Sequence, residues 1–302
     1  MRVGSGGSSN RLEAGTVTWA EVLAETTSRL AVGGLASAEA RWIVEEVSGL
    51  VAGTPANSGL DALVTARGMS RVDAMVQRRL SGEPLQYVLG SWSFRTLDLM
   101  VDSRVLIPRP ETEAVVGHAL SEFDRLAEGP SDVCVADLGT GSGAIGLSIA
   151  AERTTAKVWC SDVSSEALAV TRANLAGLGR PARRVTVVEG SWFEALPTEL
   201  TGHLDMVVSN PPYVATGQSL PSEVSDWEPG PALTAGPLGT EALEHIISEA
   251  PEWLLRGGAL VLELSPEQAV PMSEHASSSG FIDVEVHPDL TGRARALVAR
   301  RP

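Results

Sequence analysis

The fold is decided by the stretch VCVADLGTGSGAIG, which occupies residues 133–146. Its first six residues are apolar apart from Asp137, and this pattern is typical of a buried strand. The next five residues alternate glycine with small polar residues, and glycine lets a backbone turn tightly and approach a ligand closely. A helix is predicted to begin near Ala144, so its free N–H groups would face the same space. The stretch therefore predicts a strand, a ligand-binding loop and a helix in direct succession.

Strands and helices alternate from residue 132 to the C-terminus, which predicts an α/β domain. The predicted strands are residues 132–138, 156–161, 184–188, 204–209, 258–264, 281–286 and 295–300. The predicted helices are residues 143–152, 165–178, 239–255 and 266–279. The last two strands leave no room for a helix between them, so they are expected to form an antiparallel pair at an edge. We therefore predict a mostly parallel, seven-stranded, doubly wound sheet with an antiparallel edge strand.

The N-terminal part of the chain has a different character. Residues 1–15 are interpreted as a flexible tail rich in Gly and Ser, and residues 16–81 predict a small helical bundle. Thr18 and Glu21 fit a capping box at the first helix, and Ser37 is a candidate cap for a second. Two further amphipathic helical stretches are predicted at residues 61–66 and 70–80, and breaks at residues 33–34, 53–55 and 68.

Residues 82–109 are predicted to form a β-hairpin that links the bundle to a second domain at residues 110–302. The strand-like runs in this linker are residues 87–89, 92–94 and 97–101. Pro110 suits the start of a helix, and the acidic residues Glu111 and Glu113 are favourable in its first turn.

Composition and charge narrow the class of protein. The 302 residues are 43% hydrophobic and carry a formal net charge of −15. An acidic chain repels a phosphate backbone, so we expect no direct nucleic-acid substrate. No apolar run reaches the ~18 residues of a membrane span, and the N-terminus lacks the apolar core of a signal peptide. With only two cysteines, Cys134 and Cys160, a cytoplasmic location is the simplest expectation.

The glycine loop alone fits two cofactors. Residues 141–146 also match the G-x-G-x-x-G pattern of NAD-binding proteins, and Asp162, after the second strand, would bind ribose hydroxyls with either cofactor. Glycines kept for packing alone are a weaker third interpretation, because they destabilise a helix start. Asp137 favours S-adenosylmethionine, because its carboxylate could hold the cationic amino end of that cofactor but would repel the pyrophosphate of NAD. Trp192, after the third strand, lies either against adenine or in the core.

The second informative stretch is Asn210-Pro211-Pro212-Tyr213, which follows the fourth strand. Two prolines fix two φ angles and remove two N–H donors, so the stretch predicts a rigid elbow. The Asn210 side-chain oxygen and the Pro211 carbonyl can accept both hydrogens of a planar NH2 group, and the Tyr213 ring can cover its plane. The elbow and the glycine loop are predicted to lie at the same edge of the sheet.

Together these motifs resemble the HemK/PrmC family, the glutamine-N5 methyltransferases of peptide chain release factors. The resemblance covers almost the whole chain. It is carried by GEPLQY at residues 82–87, LIPRPETE at 106–113, DLGTGSG at 137–143, Asp162, SWF at 191–193 and NPPY at 210–213. It implies a class I S-adenosylmethionine-dependent methyltransferase fold with a small N-terminal helical domain. One departure is TGRAR at residues 291–295, which lacks an acidic residue often found between the two arginines.

The resemblance implies a role for each matching position. The cofactor-binding residues would be Asp137, Gly139, Thr140, Gly141, Ser142, Gly143, Asp162, Trp192 and Asn210. The catalytic residues, which would also bind the substrate amide, are Asn210, Pro211, Pro212 and Tyr213. Arg109 and Glu111 would shape the cleft that admits the release factor, and no metal is expected.

Four other functions compete with this one. A glutamine methyltransferase of a ribosomal protein shares the fold and the elbow, and a DNA adenine-N6 methyltransferase shares NPPY. A binding module without activity is opposed by the intact loop and elbow. A nicotinamide dehydrogenase lacks a residue to handle the hydride.

Overall fold

The computed structural model describes residues 14–50, 59–127 and 132–302. Residues 1–13 of the predicted tail and the predicted break at residues 53–55 lie outside the described residues. The chain divides into two compact units, Met1–Leu89 and Gly90–Pro302. Within the described ranges, no helix combines the length and hydropathy needed to cross a membrane.

The first unit is a helical bundle with one small sheet. In chain order its elements are β1 (Ala14–Thr18), α1 (Trp19–Val32), α2 (Ala38–Ser48), β2 (Leu63–Thr65), α3 (Ala66–Leu80) and α4 (Leu85–Leu89), and β1 pairs antiparallel with β2. The capping box is confirmed, because Thr18 Oγ1 accepts from the Glu21 N–H at 3.3 Å and the Glu21 carboxylate accepts from the Thr18 N–H at 2.8 Å. Ser37 precedes α2 but makes no side-chain capping bond. Apolar faces of the four helices share one core.

Four local predictions in this unit were wrong. Residues 14–15, predicted as the end of a flexible tail, begin strand β1 because they pair with β2. Residues 63–65 form a strand rather than a helix, because β-branched Val64 and Thr65 favour extended backbone and Thr65 then caps α3 by accepting the Gly68 N–H at 3.0 Å. Helix α3 continues through Gly68, where an added Cβ would lie 3.3 Å from the Trp19 ring, so this glycine serves close packing. Residues 87–89 are helical because the Pro84 carbonyl accepts the Val88 N–H at 3.0 Å and starts a turn.

The second unit begins with a hairpin and continues as alternating strands and helices. Its first elements are β3 (Ser91–Phe94), β4 (Leu97–Met100), α5 (Pro110–Leu126), β5 (Val133–Leu138), α6 (Ala144–Glu152), β6 (Ala156–Asp162), α7 (Ser165–Gly177), β7 (Val185–Glu189) and β8 (Leu204–Ser209). The rest are β9 (Val214–Ala215), α8 (Ser222–Ser225), α9 (Gly230–Leu233), β10 (Thr234–Gly236), α10 (Glu241–Trp253), β11 (Leu254–Glu263), α11 (Ala269–Ser278), β12 (Ile282–Pro288) and β13 (Ala294–Arg300). Helix α5 starts at Pro110, with Glu111 and Glu113 in its first turn, as predicted.

The central sheet has seven strands in the order β12-β13-β11-β8-β5-β6-β7. Strand β13 is antiparallel to both neighbours and the other strands are parallel. The predicted closing pair does form one edge, but its antiparallel member lies one position inside that edge. Helices α5 and α6 cover one face, while α10 and α11 cover the other. Both faces of the strands are therefore buried, which explains their nearly continuous apolar runs.

The sheet register brings four strand ends together. Leu138 at the end of β5 pairs with Ser161 of β6 and Ser209 of β8, and Ser209 pairs with Leu262 of β11. The segments that follow these strands therefore share one edge, where open α/β sheets bind their ligands.

Candidate active site

A cavity of about 390 Å³ opens at this edge of the sheet. Eight of the residues predicted for the site line it: Gly139, Thr140, Gly141, Ser142, Asp162, Trp192, Asn210 and Pro212. The sequence thus identified segments from four separate parts of the chain that fold around one space. Asp137, Gly143, Pro211, Tyr213, Arg109 and Glu111 do not line this cavity.

The glycine loop after β5 has a backbone that larger residues resist. Gly141 has φ +56°, and a Cβ built on it would meet no atom within 4 Å, so the space in front of it is open. Gly143 has φ +86°, and its Cβ would lie 2.8 Å from Leu147 Cδ1 inside α6. Gly141 therefore leaves room for a ligand, whereas Gly143 lets the first turn of α6 pack closely.

Asp137 supports the loop from beneath. It is buried, and its Oδ2 accepts hydrogen bonds from Thr140 Oγ1 at 2.6 Å and from the Gly146 N–H at 2.9 Å. Its Oδ1 is buried without a hydrogen-bond partner among the described residues. Because burial disfavours the charged form, the pKa of Asp137 rises to about 6. Asp137 does not line the cavity, but one of its carboxylate oxygens is left below the loop without a partner in the described part of the chain.

Asp162 connects the ends of two strands. Its Oδ2 accepts from the Gly141 N–H at 2.9 Å and its Oδ1 from the Ser164 N–H at 2.9 Å. Burial raises the pKa of this carboxyl group, and the hydrogen bonds from backbone N–H groups oppose that shift. The carboxylate is thus held in a fixed direction at the cavity wall by the loop that it also stabilises.

Trp192 has the left-handed backbone conformation that bulky residues avoid, with φ +43°. Such a residue costs about 1–3 kcal/mol and is found mainly at functional sites. Its ring lies over the loop backbone, since a Cβ on Gly139 would come within 3.3 Å of Cζ3. The side chain is half-buried, packs against the core below α10 and also lines the cavity. The core-packing interpretation is therefore confirmed, and contact with adenine stays a prediction that the position of the ring in the cavity wall allows.

A hydrogen bond joins the strand ends from which the elbow and the glycine loop begin. Ser209 Oγ donates to the Leu138 carbonyl at 2.6 Å, so the two segments begin side by side. Pro211 is buried, while Asn210 and Pro212 face the cavity. The predicted juxtaposition of loop and elbow is confirmed.

Two buried residues that the sequence reasoning missed support the elbow. Thr112 in α5 donates through Oγ1 to Glu263 Oε2 at 2.6 Å and accepts from Asn210 Nδ2 at 3.4 Å. Tyr213 donates its hydroxyl to Glu263 Oε1 at 3.3 Å. Glu263 ends β11 inside the apolar run LVLEL, and a charged residue within a buried strand is the signal that could have identified it. Tyr213 thus has a polar anchor as well as an aromatic face.

Arg109 makes an ion pair within its own unit. Its guanidinium contacts the Glu228 carboxylate, whose side chain is 1% exposed and which also accepts the Ile107 N–H at 3.3 Å. Burial raises the pKa of Glu228, and the positive charge of Arg109 opposes that shift. The pair connects the LIPRPETE segment to residues 226–229, a connection across 119 residues that spacing could not reveal. Glu111 is half-buried in the first turn of α5.

Asp289 provides Arg295 with an acidic partner, although residues 291–295 contain none. Arg295 Nε lies 3.6 Å from Asp289 Oδ2, in the turn between β12 and β13. In the described part of the chain, no group of three or more His, Cys, Asp or Glu residues has the arrangement of a metal site.

Comparison with known proteins decides the family. Residues 21–90 match the PrmC N-terminal domain model, and residues 122–225 match the methyltransferase small domain model. A release factor glutamine methyltransferase from Xylella fastidiosa strain 9a5c is 40% identical over 243 residues, which are 80% of this chain and 85% of that relative. The chain belongs to the release factor glutamine methyltransferase family. Relatives with this name from Deinococcus radiodurans and Bifidobacterium longum are 36% and 35% identical, and 98% of each is covered.

Solved structures agree on the fold of this methyltransferase. The hMettl16 catalytic domain, in complex with the MAT2A 3′UTR hairpin 6, has a TM-score of 0.52 and 16% identity, with 80% of this chain and 84% of that chain covered. The sheet order and this likeness identify the class I methyltransferase fold. The small-domain match includes the glycine loop and the elbow, but Thr112, Glu228 and Glu263 lie outside its 122–225 range.

Proposed function

We propose that this chain transfers a methyl group from S-adenosylmethionine to the side-chain amide nitrogen, N5, of the glutamine in the Gly-Gly-Gln loop of a peptide chain release factor. One observation carries the proposal: the cofactor-type loop at Gly141 and the amide-accepting elbow at Asn210 line the same cavity. Family membership supports the same reaction, because the relatives are named release factor glutamine methyltransferases.

The residues around the cavity fit the cofactor. The open space before Gly141 suits the methionine part, which residues 139–143 would hold. The unpaired Oδ1 of Asp137 supplies negative charge below the loop for the cationic amino end. Asp162, fixed at the wall, would hold the ribose hydroxyls, and the Trp192 ring would lie beside the adenine. When bound, S-adenosylmethionine supplies an electrophilic methyl group on a sulfonium.

The elbow would bind the substrate amide through its hydrogens. Asn210 Oδ1 and the Pro211 carbonyl would accept one N–H each, and the Tyr213 ring would cover the amide plane. An amide nitrogen is a weak nucleophile, so alignment is the main contribution, worth up to about 7–11 kcal/mol in well-oriented systems. As positive charge develops on the nitrogen, its hydrogen bonds to these oxygens strengthen, which stabilises the transition state selectively.

Proton removal needs no dedicated base in this scheme. Of the cavity-lining side chains in the described ranges, those that ionise are Arg104, Asp162 and Glu166, with no histidine, cysteine or lysine among them. Methylation makes the bound nitrogen strongly acidic, and its proton passes to solvent water.

Other parts of the chain receive roles under this proposal. The N-terminal unit, whose residues 21–90 match the PrmC N-terminal domain model, would dock the release factor. Arg109, through Glu228, would fix residues 226–229 beside the cavity entrance, since Pro229 lines the cavity. We place the reaction in the cytoplasm, where Cys134 and Cys160 would stay reduced, as both are free thiols here.

The test is mass spectrometry of a release factor incubated with this protein and S-adenosylmethionine. We expect one added methyl group on the glutamine of the Gly-Gly-Gln loop, and much less of this product with the Asn210→Ala variant. A ribosomal protein and duplex DNA are offered in parallel. Methylation of either of these with an unmodified release factor would overturn the proposal.

A further inference from the structure

We propose that Thr112 and Glu263 are positioning residues that fix the orientation of the Asn210 amide and thereby make the site select a carboxamide over a carboxylate. This inference rests on the proposed function and extends it to substrate discrimination. It starts from the hydrogen-bond chain that runs from Glu263 through Thr112 to Asn210.

The direction of this chain follows from counting protons. When Glu263 is ionised, its carboxylate only accepts hydrogen bonds, and the Thr112 hydroxyl has a single hydrogen to donate. Thr112 gives that hydrogen to Glu263 Oε2 at 2.6 Å, so only lone pairs are left to face Asn210 at 3.4 Å. The amide of Asn210 must therefore turn its NH2 group toward Thr112, because its oxygen there would meet another oxygen.

The consequence for the cavity is a surface of acceptors. With Nδ2 directed at Thr112, the Asn210 Oδ1 receives no hydrogen bond from the described protein and is available to a ligand. The neighbouring Pro211 has a carbonyl and no N–H donor. A substrate NH2 group satisfies both oxygens, whereas a carboxylate would meet only acceptors of the same partial charge. A site of this kind rejects the analogue that cannot donate.

Burial and a second hydrogen bond hold Glu263 in the position from which it accepts the Thr112 hydrogen. Its side chain is buried, and its second oxygen accepts the Tyr213 hydroxyl at 3.3 Å. The charged groups that influence it are Arg295 of β13, which favours its ionised form, and Glu111 of α5, which opposes it. Burial is the largest effect and raises its pKa, so acid converts this acceptor into a donor.

Protonated Glu263 would reverse the chain. Its new hydrogen could be donated to Thr112, whose own hydrogen would then face Asn210 and favour the flipped amide. Turnover at saturating cofactor should consequently fall on the acid side as pH drops through the raised pKa of Glu263. A residue that served only packing would leave that part of the pH profile unchanged when replaced by its isostere.

The variants are Glu263→Gln, Thr112→Val and Thr112→Ser, with Glu122→Gln as the matched control. Glu122 is a buried glutamate of α5 that pairs with Arg300 and Arg125. Its replacement by glutamine therefore tests the effect of removing a buried negative charge away from the elbow. Calorimetry with S-adenosylmethionine first shows that each variant is folded and binds cofactor. We expect Thr112→Val and Glu263→Gln to lower kcat about 10–100-fold, because each change removes a hydrogen bond that fixes the Asn210 amide. Thr112→Ser, which keeps the hydroxyl, should retain most of the wild-type kcat, and Glu122→Gln should retain all of it.

Two further readouts distinguish positioning from structure. Glu263→Gln should lose the acid limb of the kcat profile, while Glu122→Gln keeps it. A release factor whose target glutamine is replaced by glutamate should inhibit wild-type enzyme poorly and Thr112→Val markedly better, because a flipped Asn210 can donate to a carboxylate. Unchanged acid limb and unchanged inhibition in folded variants would overturn the proposal. Failure of the wild-type enzyme to methylate a release factor would instead overturn the proposed function and this inference with it.

Discussion

Replacing Gly141 by alanine separates the strain of the loop from its contact with a ligand. The backbone at this position has φ +56°, and the added methyl group would meet no protein atom within 4 Å. A left-handed conformation costs an alanine about 1–2 kcal/mol. The reduced entropy of the unfolded chain returns about 0.4–1 kcal/mol. We therefore expect a net loss of about 1 kcal/mol in the free energy of unfolding of the cofactor-free protein.

Gly280 provides the matched control. It has φ +94°, and a Cβ added to it would meet no atom within 4 Å. It lies between α11 and β12, at the amino ends of the parallel strands, whereas the cavity lies at their carboxyl ends. Gly280→Ala should therefore cost about the same stability, which corresponds to a fall of about 2–4 °C in Tm per kcal/mol for a unit of this size. Only Gly141→Ala places its methyl group in the cavity, so only this variant should lose cofactor affinity.

We expect the dissociation constant of S-adenosylmethionine to rise at least tenfold in Gly141→Ala, or about 1.4 kcal/mol or more. Isothermal titration calorimetry measures the affinity, and thermal unfolding without cofactor measures the stability. Equal destabilisation of both variants with an unchanged dissociation constant in Gly141→Ala would show that the open space before Gly141 does not receive the cofactor.

Three further perturbations test other parts of the site. Asn210→Ala should lower single-turnover methylation by at least about tenfold while cofactor affinity stays near wild type, because only the amide would lose its acceptor; a normal rate would remove Asn210 from the reaction. Cofactor affinity should rise about tenfold from pH 5 to pH 7. The pKa of Asp137 is about 6, so its carboxylate, which would attract the cationic amino group, ionises across this range. Calorimetry at several pH values should find this dependence flattened in Asp137→Asn. Arg109→Ala should lower the free energy of unfolding in urea by about 3 kcal/mol, because it leaves the Glu228 charge buried and unpaired. Glu228→Gln should cost less, because it frees an arginine that is already 33% exposed. Equal losses would contradict the conclusion that Glu228 is the more buried partner.

The sequence predicted the second unit well because its pattern is strong. Buried parallel strands such as Val133–Leu138 are continuous apolar runs, and glycine follows where the chain turns toward a ligand. The N-terminal unit was harder, because a three-residue strand such as Leu63–Thr65 has too few residues to show a period. There a capping threonine decided the boundary, and hydrophobic spacing was misleading.

The site was predictable only where its residues are neighbours in sequence. The loop and the elbow are short motifs with a recognisable chemistry. Thr112 and Glu263 are 151 residues apart, and Arg109 and Glu228 are 119 apart, so no spacing rule relates them. The first pair is produced by the packing of α5 against the sheet, and the second by contact between the start of α5 and residues 226–229, so both depend on tertiary structure.

The hydrogen bond from Ser209 to the Leu138 carbonyl has a consequence for how this enzyme could acquire a new target. It joins the last residues of two neighbouring strands, at paired positions of the sheet, from which the glycine loop and the elbow begin. Under the proposed function, the spacing of these two strands would set the separation between methyl donor and acceptor nitrogen. Residues 214–225, which follow the elbow and precede the partner of Arg109, could then vary to admit a different polypeptide while the distance for transfer is kept.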